Sequence, residues 1–155
     1  MVKKVLFFIV AVLLFAACSN RTVFSDYTEL DGGVWATDKS FAFNVEIEDT
    51  AASYEIDLML RNTDVFPRQN LWLKVEQEHN GHPISVDTLN IFLLDHNGKW
   101  IGKGLCSKYD NEFIWKQQVR FPEKGSYVFR FSQLMRIQVL EGIENIGIEV
   151  IKEKQ

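Results

Sequence analysis

The chain has 155 residues, 13% aromatic residues, 25% charged residues and a formal net charge of −4 at pH 7. This length supports one domain with a real hydrophobic core. The acidic balance argues against a nucleic-acid partner, because phosphate binding requires a clustered basic face.

The N-terminus has the layout of a secretory signal. Lys3 and Lys4 precede an apolar run over residues 5–17, which ends in small residues. About 20 apolar residues are needed to cross a membrane, so this run is too short for a stable span. Residues 1–17 are therefore predicted to be a lipoprotein signal peptide, removed from the mature chain.

Cys18 follows this signal directly. Ala16-Ala17-Cys18 resembles a bacterial lipobox, in which cleavage exposes a cysteine that receives lipid, although Phe15 stands where leucine is usual. The alternative is an ordinary signal with a chance cysteine. With Cys18 lipidated, Cys106 has no intramolecular disulfide partner. Ser19 differs from the aspartate that retains many lipoproteins in the inner membrane, so we expect an outer-membrane location. No acidic export run follows Cys18, and we expect the domain to face the periplasm.

Residues 18–30 are predicted to form a lipid-anchored tether, and residues 31–155 one β-sandwich domain. Apolar residues alternate with polar ones in a series of short segments, and this period of two is typical of strands with one buried face. The segments are 41–47, 54–60, 71–75, 86–94, 113–121, 127–131 and 146–150.

Turn signals separate these strands. Asn97-Gly98 is the strongest hairpin signal, because both residues tolerate the positive φ of a type I′ turn. Asn80-Gly81 marks another turn, although Pro83 complicates a tight hairpin there. Residues 132–140 are predicted to form a helical turn or a crossover loop. The pattern predicts an all-β fold: a single antiparallel sandwich of about seven to nine strands, jelly-roll or Ig-like.

Catalytic chemistry has no specific support in the sequence. His79 and His82 bracket the Asn80-Gly81 turn near several carboxylates, so a zinc site is conceivable, but a solvated hairpin tip is the better interpretation. Cys106 has no nearby histidine to activate it as a nucleophile. We therefore predict no enzyme activity, no metal site, no cofactor and no small-molecule substrate.

Exposed aromatic residues are the remaining candidates for a binding site. The alternation that buries Leu71 and Leu73 turns Trp72 outward. An outward tryptophan favours a protein interface over a sugar platform, and arginine is enriched at interfaces. Trp72, Trp100 and Arg136 are therefore the candidate partner-binding residues.

Several motifs together resemble the GldH family of gliding-motility lipoproteins of Bacteroidetes. Besides the lipobox, the resemblance covers most of the mature chain. The motifs are Tyr54 leading to Arg61-Asn62-Thr63, Phe66-Pro67, Asn70-Leu71-Trp72-Leu73, Asn97 to Gly104, Gly125-x-Tyr127-x-Phe129, Met135-Arg136, Leu140-x-Gly142-Ile143 and Ile146-Gly147. Phe66 stands where tyrosine is expected.

This resemblance implies an outer-membrane lipoprotein that is not an enzyme and that works with other envelope proteins in gliding motility and type IX secretion. Only Cys18 takes a defined chemical role from the family. The alternative function is a lipoprotein module that binds glycans. Glycan binding requires two tryptophans along one exposed groove, whereas protein docking requires an exposed apolar patch.

Overall fold

A computed structural model describes residues 21–154. These residues form one 3₁₀ turn and eleven β-strands. The strands are β1 (Thr22–Glu29), β2 (Val34–Ala36), β3 (Ser40–Ile47), β4 (Tyr54–Thr63), β5 (Asn70–His79), β6 (His82–Phe92), β7 (Lys103–Leu105), β8 (Lys108–Val119), β9 (Gly125–Gln133), β10 (Val139–Glu141) and β11 (Ile143–Lys152). Within this part of the chain there is no helix with the length and hydropathy of a membrane span.

All strand pairs are antiparallel and form two large sheets and one small one. The first large sheet has the order β1-β11-β4-β8-β7, and the second has the order β3-β9-β5-β6. The small sheet pairs β2 with β10. Among the strands longer than three residues, the first pairs with the last and the second with the second to last, which is the order of a jelly roll. The all-β sandwich is confirmed, and the topology selects the jelly roll over the Ig-like alternative.

The core lies between the inner faces of the two large sheets. Side chains at alternate positions of the strands are buried, as on β4, where Tyr54, Ile56, Leu58 and Leu60 are all at most 2% exposed. Aromatic rings cross between the sheets: the Trp115 ring of β8 meets the Phe129 ring of β9 edge-on at 5.9 Å. Edge-to-face packing of this kind stabilises a core beyond the area that it buries.

The number and the start of the strands differ from the prediction. The eight long strands fall within the predicted seven to nine, and three strands of three residues each raise the total to eleven. The predicted tether over residues 18–30 is wrong over most of its length, because Thr22–Glu29 forms strand β1 and pairs with β11. The sequence of β1 shows no alternation of apolar and polar residues, because β1 lies at a sheet edge, where only Phe24 packs against the core.

The two-residue hairpin lies at Asn80-Gly81 and not at Asn97-Gly98. Asn80 and Gly81 have φ of 50° and 79°, as a type I′ turn requires, and they connect the long strands β5 and β6. Pro83 is tolerated because β6 is an edge strand of its sheet. At Asn97-Gly98, only Gly98 has a positive φ. This turn connects two segments that share a single isolated bridge, between Leu94 and Trp100, and not two paired strands.

Gly142 allows two distant segments to approach each other closely. It has a φ of +85°, and a Cβ atom added there would lie 2.5 Å from the backbone nitrogen of Phe66. Phe66 is 4% exposed and anchors the β4–β5 loop in the core. The glycine of the Leu140-x-Gly142-Ile143 motif is therefore required by packing.

Asp57 is a buried carboxyl group on the outer face of the central strand β4. It is 3% exposed, and its Oδ1 has no hydrogen-bond partner within residues 21–154. Burial, together with the negative charges of Glu55, Glu112 and Glu149, raises the pKa of Asp57 to about 6. The folded protein therefore binds this proton more tightly than the unfolded chain does.

We predict that Gly142→Ala lowers the free energy of unfolding by at least about 3 kcal/mol, because strain at positive φ adds to a backbone clash. Gly98→Ala is the matched control, since it has a φ of +76° and open space around it. That control is expected to lose only about 1–2 kcal/mol, which is the strain alone. Urea unfolding measures both values, and equal losses would contradict the packing role of Gly142.

We predict that Asp57→Asn stabilises the fold in a pH-dependent way. The pKa of Asp57 in the folded state is raised, so its contribution to stability is present below pH 3.8 and is lost as pH rises through about 6. Urea unfolding should show the variant more stable than the wild type by about 1–3 kcal/mol at pH 7.5, with almost no difference at pH 4. The exposed Asp64→Asn is the charge-matched control, and a constant gain at both pH values would refute the assignment.

Candidate docking groove at the far end of the sandwich

The two ends of the sandwich carry different loops and chain segments. At the first, here called the entry end, the chain enters β1 at Thr22, and the Lys152 and Glu153 amides bond to the carbonyls of Arg21 and Ser53. The β5–β6 turn at Asn80-Gly81 lies at this same end. It adjoins the start of β9 and the end of β3, and Asp49, just after β3, accepts a hydrogen bond from Lys152. The opposite end, here called the far end, carries the loops at residues 64–69, 93–102 and 134–138.

Exposed apolar side chains are concentrated at the far end. Eight of the thirteen large apolar side chains that are exposed in the described residues lie there, and Leu105 is 81% exposed. The eight are Val34, Val65, Trp72, Phe92, Ile101, Leu105, Leu134 and Val139. Exposed apolar groups gathered in one region are typical of protein contact surfaces. The far end is therefore the candidate binding region.

One groove at the far end, here called the Trp72 groove, unites residues that are distant in sequence. It has a volume of about 590 Å³ and is lined by Arg68, Asn70, Trp72, Leu134, Met135, Arg136 and Ile137. One wall is the β4–β5 loop with the start of β5, and the other is the loop that follows β9. The groove therefore brings together two of the three predicted partner-binding residues, Trp72 and Arg136.

Trp72 lies on the outer face of the second sheet. Leu71 and Leu73 on either side of it are fully buried, while Trp72 itself is 41% exposed, as predicted. Strand β9 ends at Gln133, so the loop after it completes the pairing of β5 at this point. The Leu134 amide donates to the Trp72 carbonyl at 2.8 Å, and the Trp72 amide donates to the Met135 sulfur at 3.3 Å.

A buried amide side chain fixes the loop that forms the second wall. Gln133 is 3% exposed; its Nε2 donates to the Ile137 carbonyl at 3.1 Å, and its Oε1 accepts from the Met135 amide at 2.8 Å. The same Nε2 lies 3.4 Å from the Trp35 carbonyl. Residues 134–138 thus form a loop, one of the two structures predicted for residues 132–140, and β10 follows it.

The charge of the Trp72 groove is positive. Arg68 and Arg136 are both exposed, one on each wall, and no acidic residue lines the groove. Neither arginine forms an ion pair with another residue of the 21–154 range. The groove thus offers two available guanidinium groups beside an apolar surface.

A second groove lies over the first large sheet, and its arginine is already paired with a carboxylate of the same groove. It has a volume of about 540 Å³ and includes Tyr27, Arg61, Ile101 and Asp110. There, Arg61 donates to both carboxylate oxygens of Asp110, at 2.6 and 3.1 Å. This pairing leaves Arg61 less free to bind another molecule.

The tryptophans do not form a sugar platform in either groove. Trp35 is fully buried and Trp115 packs against the core. Trp100, the third predicted partner-binding residue, stacks on Tyr109 at 5.4 Å and lies outside the Trp72 groove. The two grooves described hold at most one tryptophan each, which lacks the arrangement that the glycan alternative requires.

The histidine turn is a structural feature. The His79 ring stacks on Tyr127 at 4.2 Å, and its Nδ1 lies 3.2 Å from the Ser126 carbonyl. In the described residues, no three side chains of His, Cys, Asp or Glu meet in an arrangement that would hold a metal ion. Cys106 is exposed in the turn between β7 and β8. The predicted lipidation site, Cys18, lies outside the described residues.

Comparison with known proteins identifies the family. The model of the family described as GldH lipoprotein matches residues 22–150. The chain belongs to the GldH lipoprotein family. Relatives include the gliding motility lipoprotein GldH homolog of Christiangramia forsetii, 28% identical over 96% of this chain and 95% of the relative, and the gliding motility lipoprotein GldH of Flavobacterium johnsoniae, 29% identical over 90% of each chain.

Likeness to solved structures is distant. The insecticidal delta-endotoxin Cry8Ea1 of Bacillus thuringiensis matches with a TM-score of 0.39 and 11% identity. The match covers 78% of this chain and 19% of the toxin chain.

Two of the GldH motifs of this chain meet at the Trp72 groove. Asn70 and Trp72 of one motif and Met135 and Arg136 of another line the Trp72 groove together. Sequence analysis missed Arg68, Leu134 and Gln133. Gln133 alone carried a signal, because the alternation of Phe129 and Phe131 extends to it and places a polar side chain on the buried face.

We predict that Gln133→Ala lowers the free energy of unfolding by about 2–4 kcal/mol, because it leaves the Met135 amide and the Ile137 carbonyl without partners. Gln117→Ala is the control. Gln117 is exposed and donates only to Glu55, so its loss should change stability by about 0.5 kcal/mol or less. Urea unfolding measures both, and equal effects would show that Gln133 does not hold the loop.

Proposed function

We propose that this protein is a lipid-anchored outer-membrane lipoprotein of the gliding-motility and type IX secretion envelope machinery. It acts without catalysis, as a module that docks a partner protein. The observation that carries the proposal is the Trp72 groove, where an exposed tryptophan and two arginines meet. The family and the names of its two relatives support the assignment to motility.

Lipid on Cys18 sets the orientation. Cys18 precedes Thr22 by four residues, which span at most about 14 Å when fully extended. The entry end of the sandwich is therefore held close to the membrane, on its periplasmic face. Trp72 lies seven residues from the entry end of β5, roughly 23 Å at about 3.3 Å per residue. The Trp72 groove consequently lies at the end of the sandwich that is farther from the membrane that carries the lipid.

The composition of the groove fits protein docking. Tryptophan and arginine are the residues most enriched among those that dominate binding energy, and methionine is enriched at interfaces. Trp72, Leu134, Met135 and Ile137 supply an apolar surface, and the arginines supply a polar rim. Gln133 holds one wall in place before a partner arrives, which reduces the entropy lost on binding.

The test is chemical crosslinking followed by pull-down from native membranes, with the wild type, Cys18→Ala and Trp72→Ala. We expect motility or secretion components with the wild type, and a loss of at least tenfold with either substitution. Ile114→Ala is the matched control, because Ile114 is 59% exposed on the outer face of the first sheet. That variant should recover the same partners as the wild type.

Two results would overturn the proposal. Recovery of the same partners with Trp72→Ala would show that docking does not use the groove. Enrichment of polysaccharide in place of envelope proteins would favour the glycan-binding alternative. Thermal unfolding of each variant distinguishes a lost contact from a lost fold.

A further inference from the structure

We infer that the Trp72 groove recognises an acidic segment of its partner, in which an apolar side chain is flanked by carboxylates. This inference deepens the proposed docking function and rests on it. It concerns the chemistry of the partner, which neither the family nor its relatives' names describe.

The Trp72 groove is positively charged although the protein is acidic. The whole chain has a net charge of −4, yet Arg68 and Arg136 line this groove with no acidic residue beside them. Two other arginines are paired within the fold, Arg61 with Asp110 at 2.6 Å and Arg130 with Glu78 at 3.7 Å. The exposed Arg120 forms no ion pair with the other described residues, but it lies in neither groove. A guanidinium group forms two parallel hydrogen bonds with a carboxylate, so each of the two arginines in the groove is suited to one carboxylate of a partner.

The groove also has an exposed apolar surface beside its arginines. Trp72 and Leu134 are 41% and 45% exposed, and because their backbones are hydrogen-bonded, their side chains lie side by side on the outer face. Arg68 and Arg136 line the same groove, on different segments of the chain. An apolar side chain that packs on Trp72 and Leu134 therefore brings neighbouring carboxylates towards the arginines.

Phosphate is the other anion that arginine binds well. The phosphates nearest to this protein belong to the membrane that holds its lipid, and the groove lies at the opposite end of the sandwich from Thr22. The apolar lining also exceeds what a phosphate alone would use. These two features favour an acidic peptide segment over a lipid headgroup.

Photocrosslinking in living cells tests the inference on the natural partner. A photoreactive phenylalanine analogue replaces Leu134 in the full-length chain, and mass spectrometry identifies the crosslinked peptide. Replacement of Val23 is the matched control, because Val23 is also 45% exposed but lies on β1 at the entry end. We expect Leu134 to crosslink a protein segment with an excess of Asp and Glu, absent from the Val23 sample.

The arginines are then tested in the Leu134 background. Arg68→Gln combined with Arg136→Gln should lower the crosslink yield at least fivefold. Arg120→Gln is the control, since Arg120 is exposed, forms no ion pair with the other described residues and lies outside both grooves. It should leave the yield unchanged. All variants are first checked for wild-type thermal unfolding.

The outcomes separate this inference from the proposed function. A crosslink to a neutral or basic segment, to lipid, or to a second copy of this chain overturns the acidic segment. Unchanged yield in the double arginine variant overturns it as well. If Leu134 crosslinks no protein at all, both the inference and the docking function fail.

Discussion

The structure depends on the burial of one face of the long strands between two sheets. Side chains alternate along a strand, so burying Leu71 and Leu73 in the core forces Trp72 to the outside. The same constraint sends Leu134 outward after Phe129, Phe131 and Gln133 have pointed inward. The exposed apolar surface of the Trp72 groove is thus a consequence of core formation and needs no separate folding signal.

The jelly-roll order of the strands brings the residues of the Trp72 groove together. Pairing the first strand with the last brings the start of the described chain and its C-terminal region to the entry end. The pairing of β5 with β9 brings Asn70 to Trp72 beside the loop of residues 134–138. A single topology therefore separates the chain entry from the groove and assembles the groove from segments more than 60 residues apart.

Buried polar groups give the far end its definite shape. An apolar residue at position 133 would fill space, but it would leave the loop backbone without hydrogen-bond partners. Gln133 satisfies the Met135 amide and the Ile137 carbonyl and so fixes the second wall. Asp57 shows the opposite case, because its buried carboxyl has an unpaired oxygen and nearby acidic groups.

The sequence by itself determined the strand pattern, the sandwich and the outward direction of Trp72, because a period of two is a local property of the chain. It also predicted the signal and the lipidation of Cys18, and the family motifs were recognisable without coordinates. It did not reveal β1, since an edge strand buries too few side chains to show the alternation. It misplaced the type I′ hairpin, because Asn-Gly tolerates positive φ at either site and the pairing of β5 with β6 selects Asn80-Gly81. Only the tertiary structure decided that Arg68 and Arg136 share one groove with Trp72 while Trp100 stacks elsewhere, because those contacts depend on strand order, which no local pattern encodes.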